Sequence, residues 1–135
     1  MKQINFVYSR NKLDFKKFAK SSDYNDVVSY HDIITKLVKN DNDNEKPSDF
    51  VVNSYLRIKI VKTMTDDNST KIIYALKDLN PYIISSIKEL MSEYCEDEIE
   101  FSLTIIQHKK LPISENDMLD IKSIDFLNKI DYITI

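Results

Sequence analysis

The chain has 135 residues, of which 42% are hydrophobic and 30% charged, a balance typical of a folded globular domain and not of a disordered chain. The formal net charge of −3 argues against a general affinity for nucleic acid. A single cysteine excludes an intrachain disulfide. No apolar run approaches the ~20 residues of a membrane helix, which argues against a membrane span. The length falls within the range of one domain, so we expect residues 1–135 to form a single α+β domain in the cytoplasm.

Glycine and tryptophan are absent, whereas lysine, asparagine, aspartate and isoleucine are abundant. This composition is typical of AT-rich genomes, including those of viruses, phages and other mobile elements. For a viral protein the expected compartment becomes the host cytoplasm or nucleus. Without glycine, no loop of this chain can be a glycine-rich phosphate cradle.

The first part of the chain changes from a strand period to a helix period. Residues 3–8 alternate apolar and polar side chains, which predicts a strand. Apolar residues at helical spacing then predict one helix from residue 11 and another from 24 to about 39. The Asn- and Asp-rich residues 40–49 follow as a polar loop.

The middle of the chain is predicted to form a β-hairpin. Residues 50–63 and 71–77 are its strands, and the polar residues 65–69 are its loop. In the first strand, apolar side chains alternate with Arg57 and Lys59. The alternating apolar residues are Leu56, Ile58 and Ile60.

The clearest elements come next. Asn80 is a favoured N-cap and is followed by proline, which predicts a helix over 81–94. Strict alternation predicts a strand over 99–107. In the last thirty residues we expect a helix within 115–129 and a short strand at 132–135.

The order of these elements predicts a fold. Strand, helices, strand, strand, helix, strand is the ferredoxin-like β-α-β-β-α-β order, with an antiparallel sheet and helices on one face. The other face would then be open to solvent. The carboxyl-terminal helix and strand would be an extension that covers an edge or part of that face.

The residues that usually carry chemistry form no recognisable motif. The Asp-rich loop fails as a calcium loop because Lys46 stands where glycine is needed and Val52 where a bidentate carboxylate is needed. His31 and His108 lack a second ligand at helical spacing, and Cys95 has acidic neighbours that disfavour a thiolate. We therefore predict no cofactor, no metal and no enzyme. The alternative is a small enzyme in which His31 or His108 is a general base oriented by a carboxylate.

Acidic residues cluster between 93 and 100, with no cation among them. Such a patch steers a domain toward a partner protein with a basic surface. The leading hypothesis is a non-catalytic protein-binding module: a small acidic regulator, inhibitor or complex subunit, of the anti-defence or immunity type that viruses and phages encode. The predicted contact residues are Glu93, Glu96, Asp97, Glu98 and Glu100.

A second hypothesis is that the open sheet face binds RNA or single-stranded nucleic acid. Phe6 and Tyr8 would stack on bases from the first strand. Arg57 and Lys59 would contact phosphates from the second strand. The acidic net charge disfavours this interpretation relative to a protein partner. No feature of the sequence predicts an oligomeric state.

Overall fold

The structure is a computed structural model that describes residues 2–24, 26–40, 48–66, 68, 70–76, 78–95 and 98–135. For residues 31, 38–40, 49, 53 and 64 it describes the backbone alone. Within these ranges the chain is an α+β protein with five helices and one five-stranded sheet. In chain order the elements are β1 (Lys2–Ser9), α1 (Lys12–Ser21), β2 (Asp26–Ser29), α2 (Tyr30–Asn40), α3 (Asp49–Thr65), β3 (Lys71–Leu76), α4 (Pro81–Tyr94), β4 (Ile99–Gln107), α5 (Glu115–Lys122) and β5 (Lys129–Thr134).

All five strands are parallel, in the spatial order β2-β3-β1-β4-β5. The central strand is β1, in which Phe6 lies opposite Tyr74 on β3 and opposite Leu103 on β4. The prediction of an antiparallel, ferredoxin-like sheet is therefore wrong. A parallel sheet needs a crossover after each strand, and the crossover between β2 and β3 contains the segment that was predicted to be a strand.

That segment, residues 50–63, lies within helix α3. Its buried residues Val52, Leu56 and Ile60 are four apart and form one helical stripe against the sheet. Ile58, which a strand would have placed beside them, is 54% exposed. The Ser48 hydroxyl accepts a hydrogen bond from the amide of Val51, which caps the helix. The predicted hairpin does not form, because its first strand is a helix. The prediction was wrong because the short alternation is also compatible with a helix.

A second correction concerns the helix predicted over 24–39. The chain first forms the short strand β2, and α2 begins only at Tyr30. Val28 of β2 is buried in the main core, and two adjacent β-branched residues favour a strand. The other predicted elements are confirmed: the first strand, the helix over 81–94 capped by Asn80, the strand over 99–107, and the terminal helix and strand.

The two faces of the sheet are covered unequally. Connections from β2, β3 and β4 run in one direction across the sheet, while the connection from β1 to β2 runs in the other. Right-handed crossovers therefore place α1 on one face and α2–α5 on the opposite face. Side-chain packing agrees: Phe6 lies in the large core beneath α2–α5, and Val7 packs with Phe15 of α1 in a smaller one.

Candidate functional site

The carboxyl edge of the sheet contains a topological switch point between the neighbouring strands β1 and β4. The chain leaves β1 toward α1 on one face and leaves β4 toward α5 on the other. In open parallel sheets, the crevice outside such a point is the usual place for a ligand. We therefore describe the side chains that follow these two strands.

A histidine–carboxylate pair closes the gap between them. His108 Nε2 lies 2.9 Å from Asp14 Oδ2, so the end of β4 is tied to the first turn of α1. The Asp14 side chain is only 12% exposed, and that of His108 is 38% exposed. Asn11 holds Asp14 from two directions, since its Nδ2 donates to the carboxylate and its Oδ1 accepts from the Asp14 amide, each at 2.8 Å.

This arrangement determines the chemistry of the ring. An ionised carboxylate can only accept, so Nε2 of His108 carries the hydrogen and the lone pair of the neutral ring is on Nδ1. Among the described residues, Nδ1 has no hydrogen-bond partner. Asp14 also places its own negative charge at the amino end of α1, where the helix dipole favours an anion. The Asp14 amide at the amino end of α1 is thus occupied by the Asn11 cap.

Cationic side chains lie on the segments next to the pair. The Arg10 guanidinium donates to the carbonyl of Pro112 at 3.3 Å, in the loop after β4. The Lys12 ammonium lies 3.6 Å from the Asp32 carboxylate at the start of α2. Lys109 and Lys110 are exposed directly after His108. We call Arg10, His108, Lys109 and Lys110, with Asp14 beneath them, the carboxyl-edge cluster.

The cluster bears on one of the predicted site residues. For His108, the structure supplies the orienting carboxylate that the enzyme alternative required. The spacing of Asn11 and Asp14 is recognisable as a helix cap, but nothing in the sequence pairs Asp14 with a residue 94 positions away. The other histidine, His31, is the second residue of α2, and its side chain lies outside the described part of the structure.

A second surface feature is a groove between α2 and α3, with a volume of about 220 Å³. Tyr55 and Ile58 of α3 form one apolar wall and remain 50% and 54% exposed. Ile33 and Leu37 of α2 form the other wall. Three lysines complete the lining: Lys36, Lys59 and Lys62. We call this surface the lysine-rimmed groove; the sequence did not indicate it, because α3 was interpreted as a strand.

The acidic segment lies at the opposite, amino edge of the sheet. Glu93 and Glu98 are exposed near the end of α4 and the start of β4. Glu100 is half-buried and accepts a hydrogen bond from the side-chain amide of Asn128. Residues 96 and 97, Glu96 and Asp97, lie outside the described residues. The role of this segment in binding stays a prediction.

The residues proposed for nucleic-acid stacking do not share an open face. Phe6 has no exposed surface, and Tyr8 is half-buried against the same core. Arg57 and Lys59 are exposed, but they lie on α3 and not on a strand. Helices cover the sheet face that holds both aromatic residues.

Polar interactions also occupy the sheet face that carries α1. Asn5 and Thr104 are buried and hydrogen-bonded at 3.0 Å across β1 and β4. Burial raises the pKa of Tyr24, and the neighbouring side chains of Ser102 and Asn5 act in the opposite direction. At the edge of this face, the Lys71 ammonium hydrogen-bonds Asp23 and lowers the pKa of that exposed carboxyl. These contacts are mutually satisfied and indicate structure more than a ligand site.

No known family model matches the chain, and no match is found among curated proteins or solved structures. Within the described ranges, no three histidine, cysteine or acidic residues lie close enough together to hold a metal ion. None of the helices described here has the length and apolar character needed to span a bilayer.

Proposed function

We propose that this chain is a non-catalytic protein-binding module, and that its lysine-rimmed groove binds an acidic, amphipathic helix of a partner protein. The observation that carries the proposal is the outer surface of α3. Apolar side chains remain uncovered there, and among the described residues the charged side chains that line the groove beside them are lysines.

Helix α3 has more apolar surface than the fold can bury. One stripe packs on the sheet, while a second stripe at Val51, Tyr55 and Ile58 has the i, i+4, i+7 spacing of a helix face. Phe50, elsewhere on the same helix, is 80% exposed. A contiguous exposed apolar surface on a folded domain commonly marks an interaction site.

The charges select the partner. Lys36, Lys59 and Lys62 line the groove, and no carboxylate is among its described lining residues, although the chain as a whole carries a net charge of −3. No ion pair joins these lysines to an acidic residue in the described part of the chain. A partner with acidic residues flanking an apolar stripe would complement both features. A cleft between two helices suits a third helix, which would place anchors at i, i+3 or i+4, and i+7.

Composition supports the proposed biological class of the module. A glycine-free composition of the kind that AT-rich genomes encode and a small acidic domain support a regulator, inhibitor or complex subunit encoded by a virus, phage or mobile element. The acidic segment with Glu93 and Glu98 is a second candidate surface, for a basic partner. The two surfaces make opposite predictions about the charge of the peptide that binds.

A peptide array tests the proposal and separates the two surfaces. The array holds helical amphipathic peptides with acidic or basic polar faces, each beside a scrambled peptide of the same composition. Fluorescently labelled wild-type protein should bind the acidic amphipathic peptides and not their scrambled forms. Ile58→Asn should weaken retention about tenfold or more, since a buried interface anchor is worth ~1–2 kcal/mol or more. Leu119→Asn, an exposed apolar residue of α5, is the matched control and should bind normally.

Other outcomes would contradict the groove. Acidic peptides that Ile58→Asn still retains would place binding elsewhere. Basic peptides lost only in Glu98→Lys would assign binding to the acidic segment. Association with anionic phospholipid vesicles, without any peptide retained, would indicate a membrane surface as the ligand and overturn the protein-binding proposal.

A further inference from the structure

Independently of the groove, we propose that the carboxyl-edge cluster is a binding site for the phosphate group of a small molecule. Arg10 supplies the fixed positive charge in this site. His108 supplies a hydrogen bond through Nδ1. The proposal adds a small-molecule ligand to a chain whose proposed function is protein binding.

Topology and register bring the two residues to the same place. Ser9 of β1 lies opposite Ile106 of β4, so the residues that follow them leave the sheet side by side at its switch point. The Arg10 side chain reaches the Pro112 carbonyl, and Leu111 folds back so that its amide donates to the His108 carbonyl at 3.0 Å. Arg10 and His108 therefore border the same short loop.

Asp14 fixes the His108 ring through one nitrogen, and the other nitrogen is available for a ligand. Asp14 orients the ring through Nε2, as hydrogen-bonded carboxylates commonly orient functional histidines. Nδ1 has no partner within the described residues, and more than a third of the side chain is exposed. A protonated ring can donate through Nδ1 to a phosphate oxygen. A neutral ring can accept from the P–OH group of a phosphate monoanion.

The charge around the pair favours an anion. Arg10, Lys109 and Lys110 are cationic, whereas the single carboxylate of the cluster, Asp14, is already hydrogen-bonded by Asn11 and His108. At the amino end of α1, Asn11 already accepts the hydrogen bond of the Asp14 amide. We therefore assign recognition mainly to side chains, and a guanidinium matches phosphate geometry.

Nuclear magnetic resonance of the full chain, labelled with ¹⁵N in its histidine rings, tests the proposal. The sequence has only two histidines, so His31 is an internal reference. Inorganic phosphate, ribose 5-phosphate and adenosine monophosphate are titrated separately at constant pH and ionic strength. We expect saturable shifts of the His108 ring nitrogens, largest at Nδ1, and much smaller shifts of His31. A tighter dissociation constant for one ester than for phosphate would identify its sugar or base as part of the ligand.

Variants decide which side chains bind. Arg10→Ala should raise the dissociation constant for phosphate about tenfold, as expected for loss of a hydrogen bond to a charged group. Arg57→Ala removes the other arginine of the chain and should change nothing. His108→Gln keeps a donor for Asp14 but removes Nδ1; with binding followed by isothermal calorimetry, it should weaken phosphate as well. Non-saturable shifts, equal shifts at both histidines, or equal effects of Arg10→Ala and Arg57→Ala would overturn the proposal.

Discussion

Replacing Phe6 with alanine measures how completely the sheet is enclosed. Phe6 lies at the centre of the central strand with no exposed surface. Its ring stacks on Phe101 at 6.1 Å and meets Tyr74 edge-on at 5.9 Å. Truncation of a fully buried phenylalanine costs about 3–5 kcal/mol, and the aromatic pairs, worth ~0.5–1.5 kcal/mol each, favour the upper part of that range.

Urea denaturation followed by circular dichroism measures the loss. With an m-value near ~2 kcal/mol/M, a loss of ~4 kcal/mol moves the midpoint by about 2 M. Phe50→Ala is the matched control, because Phe50 is 80% exposed, and it should change the free energy of unfolding by less than ~0.5 kcal/mol. If both variants lose less than ~1 kcal/mol, Phe6 is not enclosed, and an open sheet face again becomes tenable.

Two further predictions concern the sheet face that carries α1. Thr104→Val removes the hydroxyl that accepts a hydrogen bond from Asn5 and leaves a buried amide hydrogen unsatisfied. We expect the free energy of unfolding, measured by urea denaturation, to fall by about 1–3 kcal/mol. An unchanged urea midpoint would contradict the buried hydrogen bond. Lys71 lowers the pKa of Asp23 in the folded state. The pair therefore stabilises the fold at pH values above the unfolded-state pKa of about 3.9, and this contribution is lost as the pH falls through the lower pKa of the folded state. Asp23→Asn should therefore lower Tm slightly near pH 7 and not near ~pH 2; an equal decrease at both would exclude the ion pair as its cause.

Local signals predicted the individual elements well where several of them coincided. The helix over 81–94 has an asparagine cap, a proline at its first position and an apolar stripe, and the strand over 99–107 alternates throughout. Prediction was wrong where one signal stood alone. The alternation from Leu56 to Ile60 spans only five residues, and a helix satisfies it equally well by burying Leu56 and Ile60 and exposing Ile58.

The predicted elements determined which candidate sites could be recognised from the sequence. Interpreting α3 as a strand hid the lysine-rimmed groove, since Tyr55 and Ile58 face α2 only when the segment is helical. His108 was recognised as chemically interesting because histidine is a common general base. Its partner Asp14 could not be found, because their contact depends on β1 and β4 being parallel neighbours.

What the sequence alone determined was therefore local: most helices and strands, the Asn80 cap, and the absence of glycine-rich and metal-binding motifs. Propensity, capping and periodicity act within a few residues and leave their record in the chain order. The tertiary structure decided the direction and order of the strands, because these depend on hydrogen bonds between segments far apart in sequence. Ser9 and Ile106 are 97 positions apart in the chain and lie opposite each other in the sheet. This register brings Arg10, Asp14 and His108 to one edge of the sheet.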